Sequence, residues 1–147
     1  MMLFNPPHIF RQLTLEWFKK ITAYAKQHGV LTHIHCCGPE KVLAQIAAEE
    51  TDLTSIEPLE IAPMGDCVLK EIKDKYGHKL ALKGNLHTTE VLLFGSPQDV
   101  EQACKKAIDD AAKGGGFILS TGDQTPRDTP DENIFMMQKV AETYGKY

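Results

Sequence analysis

The sequence predicts an α/β fold built from successive parallel (β/α) units. Three observations carry that expectation. Four short apolar segments, starting near residues 30, 53, 80 and 117, alternate with longer stretches of helical apolar spacing. Apart from the first, those segments show no clean alternation of polar and apolar residues, as befits strands covered on both faces. Chemistry-bearing residues then collect just past the strand ends, where parallel sheets place their ligands.

The elements follow in order. Phe10 to Gln27 has helical spacing at Leu13, Trp17, Ile21 and Tyr24, which are expected inward, and Gly29 closes it. Val30 to His35 reads as the first strand, broken by Gly38-Pro39. A helix over Glu40 to Glu49 is expected to bury Val42, Leu43, Ile46 and Ala47. Leu53 to Ile56 is the second strand. Gly65 to Tyr76 is the next helix, using Val68, Leu69 and Ile72 and stopped by Gly77. Leu80 to Lys83 is the third strand, ended by Gly84-Asn85. Ser96-Pro97 opens a long helix, Gln98 to Lys113, with Val100, Cys104, Ala107, Ile108 and Ala111 inward. Phe117 to Ser120 is the fourth strand. Thr129-Pro130-Asp131-Glu132 reads as a capping box opening a last helix, Asp131 to Tyr144, which buries Ile134, Met137, Val140 and Ala141.

Residues 1–147 read as one domain, with no linker or low-complexity stretch. The chain is 42% hydrophobic and 24% charged with a net charge of -4, so a disordered chain is not expected. Its Lys and Arg are scattered, which argues against nucleic-acid binding. No apolar run is long enough for a membrane span, and Met1 to Phe10 lacks the basic start of a secretory signal. A cytoplasmic, reducing setting follows as the expectation, with Cys36, Cys37, Cys67 and Cys104 outside disulfides. Two architectures accommodate four units: a small open doubly wound sheet, or half of a (β/α)8 barrel, whose usual length is about 250 residues.

The strongest chemical signal is His33-Ile34-His35-Cys36-Cys37-Gly38. Strand alternation puts His33, His35 and Cys37 on one face. An imidazole and a thiol one strand repeat apart suit a zinc ion. Glu57 and Asp123, at later strand ends, are the carboxylates best placed to join them. The alternative for His35 and Cys37 is a buried polar pair at a loop. Asp123 is also a candidate to orient substrate or move a proton. Otherwise it forms the turn after the fourth strand. Asn85 and His87 are candidate substrate contacts; the other role open to Asn85 is forming a tight turn, and to His87 that of an exposed loop residue.

Together these pieces resemble the uroporphyrinogen decarboxylase superfamily. The resemblance rests on His35-Cys36-Cys37-Gly38, Tyr76-Gly77-His78-Lys79-Leu80, Lys83-Gly84-Asn85-Leu86, Gly95-Ser96-Pro97 with Val100, Gly114-Gly115-Gly116-Phe117-Ile118-Leu119, and Thr129-Pro130-Asp131-Glu132-Asn133. It covers nearly the whole chain. It implies the C-terminal half of a TIM-type (β/α)8 barrel, with four strands and five to six helices. It also implies one of two chemistries. Zinc-dependent methyltransferases of the superfamily move a methyl group from a corrinoid to a thiol. They hold the metal by H-x-C, sometimes a Glu, and a Cys after the last strand. His35, Cys37 and Glu57 match, while Asp123 or Thr125 stands where the late Cys would be. Metal-free decarboxylases instead carry a His in that last loop, and their tetrapyrrole-holding residues near the N-terminus have no counterpart here. The resemblance thus implies zinc, a corrinoid donor (on a corrinoid protein) and a small thiol, while the roles of Asp123, Asn85 and His87 rest on their places at the strand ends. Its alternatives are a tetrapyrrole-binding decarboxylase-like domain and an inert half-barrel or assembly module. A half-barrel has two open strand edges, so a homodimer or a complementary half-barrel partner is expected.

Overall fold

The structure is a computed structural model, and it describes residues 6–146. Met1–Asn5, part of the segment read for a secretory signal, lie outside the described residues.

The chain opens with α1 (Pro7–Leu13) and α2 (Leu15–Gln27). They replace the single helix expected over Phe10 to Gln27. The interruption is confined to Thr14, whose φ of -116° departs from helical values while Phe18 N–H still donates to its carbonyl. Strand β1 (His33–His35) follows and is shorter than expected; Val30 and Leu31 stand exposed before it. Then come α3 (Lys41–Glu50), β2 (Ser55–Glu57) and α4 (Leu69–Tyr76). Residues 65–68, expected in α4, form an approach to it instead.

Strand β3 (Ala81–Leu86) runs through Gly84-Asn85 rather than stopping there, because its pairing with the last strand continues to Leu86. A single π-helical turn, Thr88–Leu93, precedes α5 (Pro97–Ala111). Helix α5 begins as the sequence requires. The Ser96 hydroxyl accepts from Asp99 N–H, and the Asp99 side chain accepts from Ser96 N–H. Strand β4 (Phe117–Thr121) and α6 (Asp131–Thr143) complete the chain. At α6 the expected capping box is absent: Pro130 is the N-cap, and the Thr129 hydroxyl is buried without a partner.

All strands pair in parallel in the order β1-β2-β3-β4. That sequential order is the order of a barrel wall; a doubly wound sheet would reverse direction at a switch point. Helices cover one face of the sheet. Ile56 and Leu82 point into that layer at 0% exposure and pack with Leu43, Ile46, Ile72, Val100 and Cys104. Each such aliphatic side chain contributes roughly 1.5–3 kcal/mol by leaving water. The opposite face carries His33, His35, Ser55, Glu57, Lys83 and Ile118, none of them buried.

Helix orientation differs from expectation at both ends of the chain. Leu13, Trp17, Ile21 and Tyr24 are 62–65% exposed, and α1–α2 pack instead through Phe10, Leu15, Phe18 and Thr22. The stripe has the right period, but among the described residues no element covers it. In α3 Val42 is exposed, while Leu43, Ile46 and Ala47 are buried as expected, with Ala44 added. In α6 Val140 is buried, Met137 is half-buried, and Ile134 and Ala141 face outward. Asn133 takes the innermost position there, donating from Nδ2 to the carbonyls of Leu92 and Gly95. No helix among the described residues is long and apolar enough to cross a membrane.

Candidate metal centre

The site grows from the C-terminal ends of β1, β2, β3 and β4. In β1, alternation turns Ile34 to the helices and His35 to the open face. One residue past the strand, Cys36 is buried among the core side chains. Cys37 turns back toward His35, and the two adjacent cysteines therefore serve opposite sides.

His35 Nε2 lies 3.0 Å from Cys37 Sγ and 3.6 Å from Asp123 Oδ1. One donor atom from each of His35, Cys37 and Asp123 falls within 4.8 Å of the others. Asp123 arrives from the turn after β4, where the Thr121 hydroxyl donates to its backbone carbonyl. The group opens into a pocket of about 480 Å³ lined also by Glu57, Pro58, Lys83, Ser120, Thr121 and Gln124.

Glu57 stands behind the imidazole. The parallel register sets it beside His35, with Oε1 3.0 Å from Nδ1. The same carboxylate oxygen lies 3.2 Å from His33 Nε2, and Lys83 reaches the other oxygen from β3. Burial alone would raise the Glu57 pKa. The hydrogen bonds from Lys83, His33 and His35 outweigh it and hold the carboxyl down at about 2. The Cys37 thiol is pushed up by partial burial, by its hydrogen bond to Asp123 and by the charges of Asp123 and Glu60. A bound cation reverses that last influence, since it stabilises a thiolate.

The sequence-derived candidates thus divide. His35, Cys37 and Asp123 converge. Glu57, expected among the ligands, faces the imidazole's other nitrogen. Asn85 and His87 lie elsewhere. The Asn85 Nδ2 donates to the Leu59 carbonyl, and His87 Nδ1 accepts from Thr89 and Glu90 N–H at the start of the π-helical turn. Both line a separate apolar cavity of about 440 Å³ between α4 and α5, with Ile61, Val68, Leu69 and Val91. Lys83 was not among the site candidates. Its position two residues before Asn85, on the strand beside Glu57, was the available signal.

The uroporphyrinogen decarboxylase (URO-D) family model matches residues 4–144. The chain belongs to the URO-D family. Among its relatives, methylcobamide:CoM methyltransferase MtbA of Methanosarcina mazei is 30% identical over 137 residues, covering 92% of this chain and 37% of that protein. Uroporphyrinogen decarboxylase of Actinobacillus succinogenes is 31% identical over 78 residues, covering 53% of this chain and 22% of the enzyme. A solved methyltransferase from Methanosarcina mazei superposes with a TM-score of 0.76 at 21% identity, covering 96% of this chain and 38% of that one. That likeness shows the fold, a TIM-barrel-type half. This URO-D chain therefore spans well under half the length of the relatives it matches.

Proposed function

We propose that this URO-D domain binds zinc through His35, Cys37 and Asp123 and serves methyl transfer from a corrinoid to a small thiol. One observation carries the reading: three donor atoms, a nitrogen, a sulfur and an oxygen, meet within 4.8 Å at the mouth of the strands. Tetrahedral zinc with bonds of about 2.0–2.3 Å separates its ligands by roughly 3.3–3.6 Å. The observed 3.0 and 3.6 Å lie close to that spacing, so the residues fit the ion. Three protein ligands leave a fourth position open, as catalytic zinc sites do.

When bound, zinc supplies Lewis acidity that keeps a thiol sulfur in its nucleophilic thiolate form. The rest falls to this chain's side chains. Glu57 accepts the Nδ1–H of His35 and so turns the Nε2 lone pair toward Cys37 and Asp123. Lys83 and His33 hold Glu57 ionised and in place. Asp123 lines the pocket beside Cys37, where the carboxylate oxygen not taken up by zinc would accept the proton released by an incoming thiol. An aspartate in place of a second sulfur donates fewer electrons, which makes the held thiolate a milder nucleophile.

This reading implies a small-molecule thiol, a corrinoid protein as donor, and a second copy of the chain to cover its open edges. Zinc quantification tests its foundation. Protein purified with zinc is expected to retain about one ion per chain, and Cys37→Ser to lose it. Wild-type protein that takes up no zinc would overturn the reading.

A further inference from the structure

Glu40 and Glu60 are absent from the metal cluster, yet they are among the most deeply buried charged residues, at 0% and 6% exposure. Each reaches into the other's loop. Leu59 N–H donates to Glu40 Oε2 at 2.5 Å, and Gly38 N–H donates to Glu60 Oε2 at 2.5 Å. Glu40 belongs to the loop that carries Cys37, and Glu60 to the loop that follows Glu57. The two carboxyl groups therefore exchange grips across the gap between the ends of β1 and β2.

We propose that Glu40 and Glu60 are positioning residues, a reciprocal clasp that fixes the Cys37 loop against the Glu57 loop. Its bearing on metal rests on the zinc reading above.

The backbone at both grips is under constraint. Leu59 is held at a φ of 57°, the left-handed region that side chains other than glycine rarely adopt. It is pinned on three sides: its N–H by Glu40, its carbonyl by Asn85 Nδ2, and its side chain by complete burial. Gly38, directly after Cys37, has a φ of +87°, which glycine adopts without penalty. The second loop also folds tightly on Glu60. A Cβ at Gly65 would stand 2.2 Å from the Glu60 carbonyl oxygen. Asp66 closes the assembly by accepting from Glu40 and Lys41 N–H, at the start of α3.

Burying two carboxyl groups side by side is costly, since each loses hydration and each disfavours charge on the other. A neutral Asn or Ser could close either loop with less desolvation. What two glutamates add is reach, and an acceptor oxygen set on a specific N–H of the opposite loop. That hold fixes where Cys37 sits relative to His35 and its Glu57 partner.

The test uses the full chain with Zn²⁺ alone as probe, measured by competition with a chromophoric chelator. Amide hydrogen exchange is followed at Gly38 and Leu59. Glu60→Ala is expected to weaken zinc about 10- to 100-fold, as loss of outer partners of metal ligands does. Gly38 then loses protection while Leu59 keeps it; Glu40→Ala gives the converse pattern. Glu60→Gln, which keeps an acceptor oxygen, recovers most of the loss. Val100→Ala, a core truncation in α5, lowers stability without changing zinc affinity. Wild-type zinc affinity in Glu60→Ala, with unchanged Gly38 exchange, overturns the clasp. Should the wild type bind no zinc, the metal reading falls and exchange alone decides: selective loss at Gly38 upholds the clasp, and no change ends it. Where Glu60→Ala does not fold, Glu60→Asp, one methylene shorter, is read by the same criteria.

Discussion

Glu57 and Cys37 contact opposite nitrogens of one imidazole: Glu57 Oε1 lies 3.0 Å from His35 Nδ1, and Cys37 Sγ lies 3.0 Å from Nε2. The ring is therefore steered from behind while its front edge faces the donor cluster. Glu57→Gln keeps the size of the side chain and removes its charge. It is expected to lower zinc affinity about 10- to 100-fold while leaving one ion per chain at saturation. Chelator competition measures this. An unchanged affinity would mean that Glu57 does not orient His35.

The two glutamates beside the site give opposite pH dependences. Glu57 has its pKa lowered from 4.5 to about 2 by Lys83, His33 and His35, against the effect of burial. Its contribution to stability is fully present above pH 4.5 and fades as pH falls toward 2. Glu40 has its pKa raised from 4.5 to about 8, chiefly by burial and with Glu60 adding to it. Its folded form binds a proton that the unfolded chain has already lost, so its contribution is full below pH 4.5 and lost as pH rises through 8. Urea midpoints across pH 3–9 are expected to fall at both ends. Glu57→Gln flattens the acid limb, and Glu40→Gln flattens the limb between pH 4.5 and 8. A limb unaffected by its variant removes that assignment.

The outward stripe on α1–α2 and the outer edges of β1 and β4 call for cover. A second copy, turned by a twofold rotation about the barrel axis, would set β4 of one chain beside β1 of the other in parallel and bring the strand count to eight. Light scattering is expected to give about 33 kDa, twice the 16.4 kDa chain mass. Trp17→Glu, in the middle of the 64%-exposed stripe position, is expected to shift the mass to a single chain. A monodisperse wild-type monomer contradicts this arrangement.

What the sequence disclosed follows the range of each physical signal. Strand alternation and the H-x-C spacing are local, so His35 and Cys37 could be placed on one face directly. The turn after β4 marked Asp123 for the same reason. The period of Leu13, Trp17, Ile21 and Tyr24 was equally plain, but a period names a face and not the neighbour that covers it. Gly84-Asn85 resembled a strand end because the pairing of β3 with β4 that carries the strand onward is non-local. The side of the imidazole that Glu57 takes, the reach of Lys83, and the crossed grips of Glu40 and Glu60 all depend on cross-strand register and loop packing. Spacing along the chain does not encode them.

Asn133 is the part of the last motif whose role emerged only in three dimensions. Its side chain is 0% exposed, and Nδ2 donates to the Leu92 carbonyl at 2.8 Å and to the Gly95 carbonyl at 2.9 Å. Those carbonyls belong to the π-helical turn and the approach to α5, so Asn133 ties α6 to the segment after β3. Asn133→Ala strips the buried Leu92 carbonyl and the half-buried Gly95 carbonyl of this donor and leaves a void beside Leu92. A loss of about 1–3 kcal/mol is expected from the unmet hydrogen bonds. Asn133→Asp is expected to be worse, because it replaces the donating amide with a carboxylate facing two acceptor oxygens. Chemical denaturation measures both. A cost below about 0.5 kcal/mol for Asn133→Ala would show that water or backbone shifts satisfy these carbonyls without the side chain.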